Sequence, residues 1–313
     1  MIPTRNRPEV LERTIAALAA QSLDKEAFEV VVVDNGSEPS ARERARALRG
    51  SAAFALEVIS EVRPGASAAR NAGVSVASSE RILFLGDDTR PADPGFLSGH
   101  LSALAGRGDG PPAAVLGGCV WAPGVEVTPV MDWLERTGKI LDYSAMDAGE
   151  GPLVNLYSGN LSMRRSDLAA VGGFDERFGI YGWEDYDLAL RLGDRGLTLV
   201  FRPDLIVHHD HRYGLRDSLR RMEAMGRTAN LLNRIHGGRP GLATPRPTGV
   251  KALVGSTLAP LTMRLPVPSW FPRPVRDAVF RVGHYAALAR GYRRPPLDDD
   301  PVNRGGLRER SPA

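Results

Sequence analysis

The chain has 313 residues, 42% hydrophobic and 25% charged, the balance of a soluble globular protein with enough apolar mass for one large or two small domains. Cys119 is the only cysteine, which excludes an intrachain disulfide and a multi-cysteine zinc site and fits a reducing, cytoplasmic setting; no run of about 18 uncharged apolar residues occurs, so no spanning helix is expected, and the opening MIPTRNRPEV does not read as a secretory leader. The net charge of +3 is uneven: of 40 basic and 37 acidic residues, 16 basic and only 3 acidic fall in 212–294, leaving 24 against 34 elsewhere.

The opening Met-Ile-Pro allows only a stunted first strand, or places the true start upstream. Asn6 is expected to cap a helix with Pro8 in its first turn, where Val10, Leu11, Ile15 and Leu18 recur at helical spacing. EVVVVDNGS (29–37) is a continuous β-branched run ending in turn formers, as buried parallel strands do. ALEVIS (55–60) is a second such strand, 65–77 a helix of small residues, and RILFLGDDT (81–89) a buried strand ending in acids. This alternation predicts an α/β fold with an open, mostly parallel sheet flanked by helices, whose ligands bind at the carboxyl ends of the strands. Further on, AAVLGGCVW (113–121) reads as a strand and 122–157 as a loop-rich cover for the site. YSGNLSMRR (157–165) reads as a strand, followed by a short helix, the turn GGFDERF, an acidic helix over 183–195 and two strands, TLVF and LIVHHDH. An amphipathic helix is expected near 215–235 and a basic one over 274–294; the Pro- and Gly-rich stretch 237–275 has no assignment, and the tail 295–313 has the composition of a disordered segment.

Several clusters carry possible chemistry. Asp87 and Asp88 follow a buried strand; adjacent carboxylates repel, and a divalent cation relieves that cost, although a solvated turn is the plainer alternative. His208, His209 and His211 crowd one strand end, 209 and 211 on one face and 208 on the other. Asp34 ends its strand either in an Asx turn or as an acceptor for a nucleobase or ribose. Arg63, Arg70 and Asn71 form either a solvated helix surface or a basic face beside a diphosphate. In YGWEDYDLALRL (181–192), Glu184 and Asp185 sit where a helix dipole favours acids, and Asp187 precedes Arg191 by four residues, a surface pair of about 0.2–0.5 kcal/mol.

Taken together and in order, IPTRNRPEVLERTIAAL, VVVVDNGS, RPGASAARNAG, ILFLGDDTRPADPGFL, SGNLSMRRSDLAAVGGFDERF, GWEDYDLALRL and VHHDH resemble the family-2 glycosyltransferases of the GT-A (nucleotide-diphospho-sugar transferase) fold, over roughly residues 1–212. The resemblance implies a mixed, mostly parallel sheet and transfer of a sugar from a nucleotide diphosphate sugar, by default a UDP-sugar, to an acceptor hydroxyl of a glycan, lipid or small molecule, with inversion and with Mn2+ or Mg2+. By similarity Pro3, Thr4 and Arg5 line the base pocket, Asp34 binds the base, and Arg70 and Asn71 lie near the nucleotide or diphosphate. Gly86 replaces the first acid of the family's acidic motif, leaving Asp88 as metal ligand with Asp87 in support. His209 fits a second metal ligand best by register, with His211 and His208 as alternatives. Asp185 is the expected base, Glu184 an acceptor contact and Trp183 a stacking wall for a sugar.

Domains are expected at 1–212 (catalytic), 213–294 (basic helical extension) and 295–313 (tail). The basic segment fits either an ordinary packed extension or peripheral association with an anionic membrane surface. A sugar nucleotidyltransferase is the first rival, but its glycine-rich loop is replaced by PTRNRP. The second is a non-catalytic sugar- or nucleic-acid-binding protein; the 6% aromatic content, not interleaved with the basic residues, argues against nucleic acid.

Overall fold

Strand β1 (Ile2–Thr4) has three residues and pairs in parallel with β2 (Glu29–Asp34), which pairs in parallel with β3 (Ala55–Ser60). The computed structural model describes residues 1–106, 112–140, 143, 146–237, 239, 267 and 270–294. Helices α1 (Pro8–Ala19), α2 (Pro39–Ala47) and α3 (Ala66–Val76) alternate with these strands. Alternate side chains of β2 serve two layers, as period-two geometry requires: Val30 and Val32 pack with Leu11, Ile15 and Leu18 of α1, and Val31 and Val33 with Ala69 of α3. Pro8 opens α1 as expected, but the cap position belongs to Arg7 and no side chain closes it. Asn6 instead takes a left-handed backbone (φ 54°) and accepts the Glu38 N–H.

The second sheet comprises β4 (Arg81–Leu85), β5 (Thr89–Pro91), β6 (Ala113–Trp121), β7 (Gly149–Gly151), β8 (Asn160–Arg164) and β9 (Thr198–His209), in the order β4-β8-β6-β9-β5 with β7 on β9. Two backbone bonds at Met1, its nitrogen to Leu83 O and its carbonyl from Leu85 N, join β1 to β4, so the two sheets run on into one another. The expected mixed sheet is present. Its parallel pairs are β1 with β2, β2 with β3, and β6 with β9, while β4–β8, β6–β8, β5–β9 and β7–β9 are antiparallel. Helices α4 (Phe96–Ala105), α6 (Arg165–Ala169) and α7 (Glu184–Gly193) complete the layers. One core holds Phe84, Leu116, Leu161, Met163, Phe174, Leu188 and Leu192; the other holds Ile2, Leu85, Phe96, Val115 and Val207.

The two strands expected at TLVF and LIVHHDH are one, β9, because an irregularity opposite β6 carries the chain through Pro203 without ending the ladder. Between paired residues β6 advances from Gly117 to Cys119 while β9 advances from Arg202 to Val207.

The chain divides into two units. The first is Met1–Val125, Leu141–Glu176 and Glu184–His211, with both sheets; the second gathers Glu126–Ile140, Arg177–Trp183 and the chain from Arg212 on. The division near 212 falls where the charge pattern changes, but part of the loop expected as a cover over 122–157, Glu126–Ile140 with α5 (Pro129–Arg136), belongs to the second unit. There α8 (Leu215–Ile235) and α9 (Arg273–Arg293) pack closely, since a Cβ at Gly226 would stand 2.1 Å from Leu288 O and one at Gly291 2.0 Å from Glu223 O. Most of 237–275 and the tail 295–313 lie outside the described residues.

Candidate active site

The carboxyl ends of β1, β2 and β4 bring Thr4, Asp34, Asp87 and Asp88 together. Thr4 is the register partner of Asp34 and donates its hydroxyl to Asp87 Oδ2 at 2.7 Å. The Thr14 hydroxyl holds the Asp87 carbonyl at 2.7 Å. Arg7 spans the acidic pair, Nη2 at 2.5 Å from Asp87 Oδ1 and Nη1 at 2.6 Å from Asp88 Oδ2. Burial pushes the Asp87 carboxyl up to about 6 against the pull of Arg7, with the neighbouring Asp88 adding to the rise. Burial acts on Asp88 too, but hydrogen bonding and charge from His209, together with Arg7, outweigh it and hold that carboxyl below the usual range.

His209 Nε2 lies 3.5 Å and His211 Nδ1 3.8 Å from Asp88 Oδ2. Trp121, the β6 partner of His209, stacks on its ring at 5.4 Å, and His211 continues the stack. His208 alternates to the opposite face, beside Arg90. Asp210 is held by Arg90 (2.7 Å) and Arg13 (3.4 Å). Among the described residues no group of three or more His, Cys, Asp or Glu forms a ready metal cage. The donor set Asp88 with His209 or His211 nonetheless fits Mn2+ or Mg2+ in kind, since such ions accept few protein ligands and complete their shell with substrate phosphates and water.

The second carboxylate cluster begins α7. Asp185 Oδ2 accepts the Ser158 N–H at 3.0 Å. Adjoining Ser158, the Gly159 carbonyl accepts Gly86 N (3.3 Å) and the Thr89 hydroxyl (3.0 Å). Two residues, Ser158 and Gly159, therefore tie Asp185 to the Asp87–Asp88 turn. Arg70, nearly buried, stands 3.6 Å from Glu184 Oε1 and 3.9 Å from Asp185 Oδ1, its guanidinium over the Phe174 ring. Arg70 thus faces the acids of α7.

Other expected residues are placed differently. The Asn71 amide, expected near a nucleotide or diphosphate, bonds the Phe174 N–H, the Phe174 carbonyl and Glu176, because the turn GGFDERF folds back onto α3. Arg63, expected on the same basic face, is committed to Glu61 and Glu176. Asp187 is fully buried rather than a surface partner; it takes two bonds from Arg191, whose Nη1 also donates to the Val171 and Gly173 carbonyls at 2.7 Å each. Asp34 is buried and accepts Ser37 N and Arg42 Nε (2.6 Å), so the Asx turn exists whatever else the carboxylate does. Pro3 lies within β1, and Arg5 is exposed on the loop after it. Trp183, with φ 66°, belongs to the second unit, where its indole N–H donates to Met225 O.

Arg7, Ser158 and Trp121 were not foreseen. One sequence gives no sign that separates Arg7 from Arg5, and Ser158 acts through its backbone, which side-chain chemistry does not announce.

The profile of glycosyl transferase family 2 matches residues 1–172, more than half of the chain, and that described as N-terminal domain of galactosyltransferase matches 150–213. Validoxylamine A glucosyltransferase of Streptomyces hygroscopicus subsp. limoneus is 30% identical over 223 residues, covering 64% of this chain and 48% of that protein. Pre-mycofactocin glycosyltransferase of Mycobacterium tuberculosis is 29% identical over 242 residues, covering 73% and 46%. The chain thus spans about half the length of these relatives. Among solved structures, a mannosyltransferase of Pyrobaculum calidifontis in complex with GDP-Man and Mn2+ superposes with TM-score 0.59 at 18% identity, covering 92% of this chain and 85% of its own. S. aureus TarS 1–349 in complex with UDP gives 0.53 at 17%, covering 94% and 90%. The profile match over more than half of the chain makes it a member of glycosyl transferase family 2, and the superposition on these structures shows the GT-A fold.

Proposed function

We propose that the chain transfers a sugar from a nucleotide diphosphate sugar to an acceptor hydroxyl, inverting the anomeric centre, with Asp185 as the base. The observation that carries this reading is the backbone bridge through Ser158 and Gly159, which ties the Asp185 carboxylate to the Asp87–Asp88 turn. Asp34 and Thr4, at paired strand ends, receive the nucleoside. Asp88 and His209 are the metal ligands; a bound Mn2+ or Mg2+ would supply charge neutralisation for the departing diphosphate. Asp185, fixed by the Ser158 amide, takes the proton of the acceptor hydroxyl as that oxygen attacks the anomeric carbon. Glu184 and Arg70 border the base and orient the acceptor. The solved neighbours bound to GDP-Man and to UDP support a nucleotide donor, with UDP-sugar as the default. A role in cell-envelope polysaccharide, glycolipid or other glycoconjugate synthesis is part of the proposal.

Asp185→Asn should lower kcat by about 10²–10⁴-fold while nucleotide affinity, measured by calorimetry, stays unchanged. A variant of near-normal rate would remove Asp185 from the mechanism. Release of nucleoside diphosphate only when acceptor is present separates transfer from nucleotidyl transfer and from mere binding. No helix among the described residues is long and apolar enough to cross a membrane. The basic 212–294 segment is proposed to rest on anionic lipid at the inner face of the membrane; vesicle co-sedimentation that is indifferent to anionic lipid would count against it.

A further inference from the structure

The acidic pair already has a cation. The Arg7 guanidinium meets Asp87 with one nitrogen at 2.5 Å and Asp88 with another at 2.6 Å. The second of these contacts falls on Asp88 Oδ2, the oxygen that His209 and His211 also face. A metal held by Asp88 and His209 would share that carboxylate with the guanidinium, and two positive charges beside one carboxylate repel.

The two sides of this contact differ in freedom. Asp87 and Asp88 side chains are 1% and 14% exposed, and Asp87 is fixed further by Thr4, whereas the Arg7 side chain is 38% exposed. Its backbone is anchored: Asn6, in its left-handed conformation, donates its N–H to Ser37 Oγ and accepts from Glu38 N, and the Arg7 carbonyl accepts Leu11 N at the start of α1. The backbone is thus pinned on both sides of Arg7, while more than a third of its side chain faces solvent. A planar fork that leaves two carboxylates finds its equivalent partner in the oxygens of a diphosphate.

We propose that Arg7 is a resident counter-ion that excludes the divalent cation from Asp88 until a nucleoside diphosphate draws the guanidinium away, so that nucleotide and metal bind cooperatively. The inference rests on the metal-dependent reading given above. In this arrangement Arg7 neutralises the pair in the free protein and becomes a phosphate contact in the loaded one, and the coupling is reciprocal: metal tightens nucleotide as much as nucleotide tightens metal.

The test is Mn2+ affinity, measured by calorimetry and by the EPR signal of free Mn2+, with and without UDP or GDP assayed in parallel. Wild-type protein should bind Mn2+ weakly alone and at least about tenfold more tightly with the nucleotide it accepts. Arg7→Gln should bind Mn2+ alone more tightly than wild type does, and its gain from nucleotide should shrink. Arg7→Lys, which keeps a charge but not the fork, should fall between; thermal melting verifies that both variants are folded. If Arg7→Gln and Arg7→Lys, both folded, bind Mn2+ alone no more tightly than wild type, the inference on Arg7 is overturned while the metal reading stands. If no protein binds Mn2+ even with nucleotide, the metal reading itself falls and this inference with it.

Discussion

Asp187 shows how much burial changes a residue's meaning. A carboxylate four residues ahead of an arginine on a helix reads as a surface pair, yet here the carboxylate is fully buried and the arginine also holds two carbonyls of the turn before α7. Removing the carboxylate leaves the part-buried Arg191 with only its two carbonyl partners, so Asp187→Ala should cost about 1.5–3 kcal/mol, read from urea unfolding; a loss below about 1 kcal/mol, the surface-pair range, would contradict the assignment. Asp185, two positions earlier, is only partly buried and accepts a backbone amide rather than a guanidinium fork. Asn71 is the converse case: a residue that looked like a ligand contact holds the turn Gly173–Glu176 instead. Asn71→Ala should therefore raise amide exchange in 172–178 with nucleotide affinity unchanged, and a selective loss of nucleotide affinity would restore the binding role.

Among the elements, β9 decides the histidine side of the site. Leu199 and Phe201 face one core, whereas Leu205 and Val207 face the other, although all four are odd-numbered. The strand reverses its faces because it takes an odd number of extra residues between Arg202 and Val207 relative to β6. Without this irregularity His209 would lie on the side of Phe201, away from Asp88. Asn160 fills the irregularity, its amide donating to the Gly118 and Leu205 carbonyls at 2.9 Å each while its oxygen meets His100. There is no room beside it: a Cβ at Gly117 would stand 2.3 Å from both Asn160 Nδ2 and Leu205 O. Gly117→Ala should destabilise the protein by about 1–3 kcal/mol and weaken Mn2+ binding in the presence of nucleotide, since the strand that carries His209 must shift. Thermal melting and the Mn2+ titration read the two effects, and unchanged values in both would show that the irregularity does not set the histidine.

At the scale of the whole molecule, buried histidines set the response to acid. Desolvation lowers His100 to about 4, and His284, buried between α8 and α9, is likewise lowered to about 4. Unfolded, both rings return to about 6.5 and bind protons that the folded chain refuses. Stability is therefore full above that value and falls as pH drops from about 6.5 toward 4, by up to about 3 kcal/mol for each ring. Asp87, raised to about 6, acts in the opposite direction, since the folded chain binds its proton first and gains stability as pH falls through that range. Two rings against one carboxyl leave a net loss, so the urea midpoint should decline between pH 7 and pH 4.5; a flat profile would mean that the histidines are solvated. Cys119 takes no part, because burial pushes its thiol up to about 12 and keeps it protonated throughout.

The sequence by itself determined the alternation of β1 to β4 with helices, the strand-end positions of Asp34, Asp87 and Asp88, the start of α7 at the Glu-Asp pair, and the family. These features are written in local patterns: β-branched runs, turn formers at strand ends, helical spacing. Tertiary structure alone decided that Arg7 bridges the acids, that Ser158 fixes Asp185, that Asn71, Arg63 and Arg191 hold the turn before α7, and that residues 126–140 and 177–183 join the C-terminal helices. Each of these pairs groups distant in the chain, and an arginine or asparagine has the same local signature whether it meets a phosphate, a carboxylate or a backbone carbonyl. Which of them it meets depends on what the fold brings within hydrogen-bond reach.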